Sequence, residues 1–259
     1  MRRAPGKVYL VGAGPGAPDL ITVRAARLLA EADIVFHDAL VHPATIALAT
    51  KAEKIAVGKR CGRHSTAQRF INKRLIDAAH RVQTVVRLKG GDAMLFGRAQ
   101  EEIDALQAAG IEVEVVPGVT AALAASAQLR IALTRRGVSR SVLFATPRAG
   151  VGERPNNWAR GVCAADSAVL YMAAGEGRAI ATALLAHGMA PDTPVLIVEN
   201  AALADSRTAA LTLRELQNLP QPERRAPALL MFGEIFRDAS AANRAIVGAA
   251  AAAATSLCA

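Results

Sequence analysis

Aromatic residues are scarce: Phe, Tyr and Trp together make up 3% of the 259 residues. Binding of single-stranded nucleic acid leans on exposed rings for base stacking, so this composition speaks against it. Cysteine is nearly absent. Cys61, Cys163 and Cys258 are odd in number and share no metal-ligand spacing, so neither a disulfide framework nor a zinc site is expected, and no metal is. No apolar run is long enough to span a bilayer, which leaves a membrane out of the expected partners. The first residues, Met1 to Gly6, lead at once into a strand pattern with no apolar leader, and a cytoplasmic protein is the expectation. The Ala-rich stretch from Ala245 to Ala259 is too short to span and reads as a frayed helix or disordered tail.

What is present is apolar and basic. Hydrophobic residues reach 52%, enough for a sizeable core. Lys and Arg number 31 against 22 Asp and Glu, a net charge of +9. Such a field concentrates anionic partners, and nucleic acid, an acidic membrane surface and a polycarboxylate small molecule all fit its sign. The arginines are spread along the chain instead of gathered in a tail, so a protein that is simply basic fits as well.

Periodicity organises the chain. Strand patterns at 8–11, 34–36, 54–57, 84–88 and 112–116 alternate with helical spacing at 23–29, 67–79 and 101–109. That alternation predicts a mainly parallel sheet with helices on both faces. Further strand patterns at 142–144, 168–171, 195–198 and 228–231, with a helix at 178–187, predict a second α/β domain. Residues 150–161 read as a loop. The expected division is a domain over 1–132, a second over 133–240 and a tail over 241–259.

Three strand ends run into glycine-containing turns: Gly12-Ala13-Gly14-Pro15-Gly16, Lys89-Gly90-Gly91-Asp92, and Pro117-Gly118-Val119-Thr120-Ala121. Ligands of open α/β sheets sit beyond the carboxyl ends of the strands, so three such turns on one edge point to a ligand crevice. Gly12, Gly14 and Ala17 also satisfy a relaxed dinucleotide fingerprint. Pro15 and Pro18 oppose it, because they keep a helix from starting where a pyrophosphate would need its N-terminus; Asp19 or Thr22 is the better cap.

The ordered set Val11 to Gly16, His37 to Val41, Gly58 to Ser65, Arg87 to Arg98, Val116 to Ala121, Asp166 to Met172, Glu199 to Ala201 and Pro227 to Glu234 resembles the uroporphyrinogen-III C-methyltransferases of the tetrapyrrole methylase superfamily. The likeness covers roughly residues 7 to 236. It implies two α/β domains of the tetrapyrrole methylase type with the donor site in the cleft between them, and a homodimer. It also implies methylation by S-adenosyl-L-methionine of two ring carbons of uroporphyrinogen III, giving precorrin-2 for the sirohaem or cobalamin pathway. On matching positions, donor binding falls to Pro15, Gly90, Gly91, Asp92, Leu95, Thr120, Ala121, Met172 and Ala201, proton acceptance to Asp38 and proton donation to Lys59.

By residue type alone, Asp38 could simply cap the next helix, Lys59 be a solvated lysine and Met172 ordinary core. Arg60, Arg63, Arg135, Arg136 and Arg140 are candidate clamps for substrate carboxylates. His64 could bind a carboxylate or bond within its own loop. Three positions depart from the family pattern: Ala93 stands for proline, Ala39 for arginine and Arg135 for histidine. The last puts a permanent cation where the family has a titratable ring. Alternative functions are a later corrin-precursor or ribosomal RNA methyltransferase of the same fold, a nicotinamide-dependent oxidoreductase, and a basic nucleic-acid-binding module.

Overall fold

A computed structural model describes residues 4–57, 68–149, 156–220 and 226–238. The chain divides into two compact units, Met1–Ala124 and Ala125–Ala259.

In the first unit, strands β1 (Lys7–Gly12), β2 (Ile34–His37), β3 (Glu53–Ala56), β4 (Thr84–Lys89) and β5 (Val113–Val116) form one sheet in the order β3-β2-β4-β1-β5. Every pairing in it is parallel. Helices α1 (Val23–Glu31) and α2 (Pro43–Ala47) cover one face, and α3 (Gln68–Ala79) and α4 (Ala99–Ala108) the other. The pleat explains the division. Val8, Leu10 and Val85 pack with Ile71, Leu75 and Leu106 of α3 and α4, whereas Val11, Val86 and Leu88 pack with Ala25 and Leu29 of α1. Each fully buried Leu contributes about 1.5–3 kcal/mol. The expected parallel sheet with helices on both faces is what this unit shows.

Helix α5 (Ala121–Leu129) runs across the division. In the second unit, strands β6 (Val142–Ala145), β7 (Ser167–Leu170), β8 (Pro194–Glu199), β9 (Arg207–Thr212) and β10 (Ala228–Gly233) form a sheet in the order β6-β7-β10-β8-β9. Only β6 and β7 pair in parallel; the other three pairings are antiparallel. Helices α6 (Trp158–Ala164), α7 (Gly177–Ala186) and α8 (Leu213–Asn218) build its core with Leu170, Val195 and Phe232.

Three elements here differ from the sequence expectation, and one is helix α8, which was not expected. The loop expected over 150–161 yields to α6 from Trp158, and β9 was not expected at all. Strand β9 is a partly exposed edge, Arg-Thr-Ala-Ala-Leu-Thr, whose two alanines leave no clear alternation to detect.

Both units pin a strand with the same device. Asp33, just before β2, accepts from the Gln83 and Thr84 backbone N–H groups at 3.0 and 2.9 Å. Asp166, just before β7, accepts from the Arg140 and Ser141 N–H groups at 2.8 and 2.9 Å and from the Ser141 hydroxyl at 2.9 Å. In each case one carboxylate oxygen satisfies consecutive backbone donors at the entry of a neighbouring strand. The bond from Arg140 N–H, followed by those from Ser141, holds the Asp166 carboxyl below the usual aspartate range. A lowered carboxyl stabilises the fold above its ordinary value, and that contribution is lost as pH falls through the folded value. The melting-temperature gap between wild type and Asp166→Ala should therefore be open at neutral pH and close below the ordinary aspartate range; a gap independent of pH would remove the ionic explanation.

Candidate active site

Sheet order places β1 and β4 side by side, and the chain leaves β1 toward one edge and β4 toward the other. This is a topological switch point, where an open α/β sheet has its crevice. The turns after β1, β4 and β5 meet there. Gly14 and Gly91 form a two-way bridge: Gly91 N–H donates to the Gly14 carbonyl at 2.7 Å, and Gly14 N–H to the Gly91 carbonyl at 3.2 Å. Gly91 has φ +70°, in the left-handed region that favours glycine. Gly12 and Gly118 lie backbone to backbone: a Cβ on Gly12 would fall 2.6 Å from the Gly118 nitrogen and 2.8 Å from the Gly91 oxygen. No side chain fits at that crossing.

Asp92 ties the second turn to the third. Its Oδ1 accepts from Met94 N–H and its Oδ2 from Gly118 N–H, both at 2.8 Å. Its carboxylate therefore organises the turn, with lone pairs left over for a ligand. Thr120, buried, lies beside Gly91, and its carbonyl accepts from Leu123 and Ala124 at the start of α5, where Ala121 is the first residue. Leu95 and Pro15 are half-buried on the same turns. The first unit thus brings together Pro15, Gly90, Gly91, Asp92, Leu95, Thr120 and Ala121. Side-chain-free backbone at two turns, with an organised carboxylate between them, fits an S-adenosyl ligand's need for close backbone approach and hydrogen-bond acceptors.

Asp38 ends β2. It does not cap α2: the His42 ring does, accepting from Ala44 N–H at 3.2 Å. Its Oδ1 instead accepts from Arg87 Nη2. Arg87, 2% exposed, also donates from Nε to Glu102 Oε1 at 3.1 Å and from Nη1 to the Leu88 carbonyl at 3.2 Å. Glu102 is 0% exposed and accepts in addition from Lys89 Nζ and Gln68 Nε2, each at 3.0 Å. Burial, followed by the neighbouring Arg87 charge, pushes the Lys89 ammonium below its usual range. Sequence reasoning missed Arg87, Lys89 and Glu102 as a unit. Their signal was present: two cations in a strand buried on both faces require a buried anion.

In the second unit, Met172 follows β7 and Ala201 follows β8. Both strands run antiparallel to β10, so these residues share one edge of the sheet. Met172 has φ +55°, and Asn200 and Ala202, flanking Ala201, have +48° and +63°. Non-glycine residues in this region are uncommon and gather at ligand sites. Met172 is 41% exposed, which removes the ordinary-core alternative. Arg135 and Arg136 sit on an exposed turn closed by Arg135 and Ser139 backbone bonds at 3.0 and 2.8 Å. Arg135 reaches Asp238 at 3.6 Å between largely exposed groups, a pair worth little. Lys59, Arg60, Arg63 and His64 lie outside the described residues.

The glycine turn after β1 is followed by a 3₁₀ turn at Pro18–Leu20, and α1 starts only at Val23, with Thr22 Oγ1 accepting from Ala25 N–H at 3.2 Å. Helix α1 therefore does not begin at that turn, as a dinucleotide fold requires, which weighs against the dinucleotide alternative.

These features define an α/β protein that receives a small ligand on converging backbone turns at the carboxyl edge of a parallel sheet. The chain belongs to the tetrapyrrole (corrin/porphyrin) methylases, whose family model matches residues 7–217. It is 42% identical over 234 residues to a uroporphyrinogen-III C-methyltransferase of Pseudomonas aeruginosa, covering 90% of this chain and 95% of that protein. It is 41% identical over 236 residues to siroheme synthase 1 of Klebsiella pneumoniae, covering 91% of this chain but 50% of that protein. The chain thus spans about half the length of the siroheme synthases it matches. Among solved structures, the uroporphyrin-III C-methyltransferase of Thermus thermophilus complexed with S-adenosylhomocysteine superposes with a TM-score of 0.79 at 40% identity, covering 90% of this chain and 99% of that one.

Proposed function

We propose that this protein transfers methyl groups from S-adenosyl-L-methionine to two ring carbons of uroporphyrinogen III, giving precorrin-2. The observation that supports it most is the meeting of three backbone turns around Gly12, Gly91 and Gly118 in a chain this similar to a structure holding S-adenosylhomocysteine. Bound donor supplies an electrophilic methyl on a sulfonium, and the reduced tetrapyrrole supplies the electron pair of a ring carbon.

What the protein adds is placement and proton handling. The Gly90, Gly91, Asp92 and Thr120 turns, with Pro15, Leu95 and Ala121 beside them, hold the donor; Met172 and Ala201 contribute from their own sheet edge. Positioning of this kind accounts for a large share of the rate in displacement reactions. The ring carbon that gains the methyl is fully substituted and carries no hydrogen, so the macrocycle regains neutrality by losing a proton from a ring nitrogen or bridge carbon. Asp38 accepts that proton, and Lys59 is the proton donor in the tautomeric shift that accompanies it. The cations Arg60, Arg63, Arg135 and Arg136, with His64, hold substrate carboxylates, which accounts for a net charge of +9 without a nucleic-acid partner. We place the enzyme in the cytoplasm as a homodimer. Among the described residues no helix is long and apolar enough to cross a membrane.

Anaerobic incubation with enzymatically generated uroporphyrinogen III and methyl-labelled donor tests the proposal. Two labelled methyl groups per tetrapyrrole are expected, seen as mass and label together. Binding of S-adenosylhomocysteine without transfer to this substrate would move the substrate to a later corrin precursor.

A further inference from the structure

A carboxylate that is 0% exposed needs a reason, and Glu102 is one. Stability does not supply it, since buried ion clusters are often matched or bettered by apolar residues of similar volume. Geometry does. The planar guanidinium of Arg87 is engaged on three sides: by Glu102 at Nε, by the Leu88 carbonyl at Nη1 and by Asp38 at Nη2. With two of those contacts fixed, the third has little freedom, because the donor fork is rigid. The opposite oxygen of Glu102 is held by Lys89 Nζ at 3.0 Å, and Gln68 adds a second donor to Oε1 at 3.0 Å, so the carboxylate itself cannot turn. Asp38, by contrast, is 30% exposed in its side chain and sits at the sheet edge. On its own it would swing among rotamers.

We propose that Glu102 is a positioning residue for the proton-accepting carboxylate, acting through Arg87 to hold Asp38 at the carboxyl edge of the sheet. The inference rests on the role given to Asp38 above. It makes no claim on donor binding, because the polar partners of the Glu102 side chain, Arg87, Lys89 and Gln68, belong to β4 and α3 and not to the three glycine turns.

The test uses the full chain in a Lys89→Met background, which removes the second cation so that a neutral residue at 102 meets no unpaired ammonium. In that background E102Q keeps one oxygen to accept from Arg87 Nε, whereas E102L keeps none. Turnover of E102Q is expected within about fivefold of the background, and that of E102L on the order of 30-fold lower, since misplacement of a reacting group by an ångström costs about 100-fold. Binding of S-adenosylhomocysteine should stay within about twofold in both. Equal turnover for the two variants would overturn the inference, and so would a parallel loss of turnover and S-adenosylhomocysteine affinity, the sign of a merely structural role. Asp38→Asn, assayed alongside, separates the two levels: full turnover there would overturn the role of Asp38 itself, whereas its loss with E102L unimpaired would overturn only the inference.

Discussion

Asp92→Ala should weaken S-adenosylhomocysteine binding about 100-fold while leaving the fold intact. Its carboxylate accepts from Met94 and Gly118 N–H at 2.8 Å each and so joins the turn after β4 to the turn after β5. Hydrogen bonds to a charged acceptor contribute roughly 1.5–3 kcal/mol each when sheltered. Asp92 is only half-buried, so the pair is better set near the value of one sheltered bond, about 2.7 kcal/mol, or 100-fold in affinity. Stability suffers less. Asp92 lies beyond the ladder, and β1, β4 and β5 keep every backbone pairing without it. The loss falls on the ligand because a loosened turn must be ordered at the moment of binding. Asp92→Asn keeps one acceptor oxygen but turns an NH₂ toward the other backbone donor, and an effect of about tenfold is expected. Calorimetric titration decides the matter: alanine binding within threefold of wild type would mean that the donor does not use this turn.

The parallel sheet of the first unit was legible because its inner strands are largely buried and written as β-branched runs, Thr84-Val85-Val86 above all. The three glycine turns were legible because glycine and proline punctuate a chain wherever they stand. Their convergence was an inference from topology, and the crossing of Gly12 with Gly118 is what gives it physical content. What the sequence hid was of another kind. Edge strand β9 carries no hydrophobic alternation, and its pairing with β8 is a fact of tertiary structure. Asp38 could be read as a helix cap until His42 was found to cap α2. The partnership of Arg87 with Glu102 spans a turn and the start of a helix, and no local pattern links them.

That partnership gives the last expected result, in which stability and activity part company. Glu102→Leu should destabilise the protein by about 3–5 kcal/mol, because Arg87 and Lys89, both 2% exposed, would be left buried without their carboxylate. Replacing all three at once, Arg87→Met with Lys89→Met and Glu102→Leu, removes the three buried charges and leaves side chains of similar bulk in the same space, with only the partly exposed Asp38 carboxylate short of a partner. Stability should then return to within about 1 kcal/mol of wild type, or exceed it, since the desolvation of three ions is no longer required. Turnover should not return. Asp38 would have lost the guanidinium that fixes it, and its partly exposed carboxylate would be free to rotate away from the place its proposed role as proton acceptor requires. Urea unfolding must be followed by far-ultraviolet circular dichroism, because the sole tryptophan, Trp158, lies in the second unit and would not report on β4. A triple variant that is stable and inactive means the ion cluster serves chemistry. One that is stable and fully active means that Asp38 needs no holding, and one that stays unfolded means the cluster is structural after all.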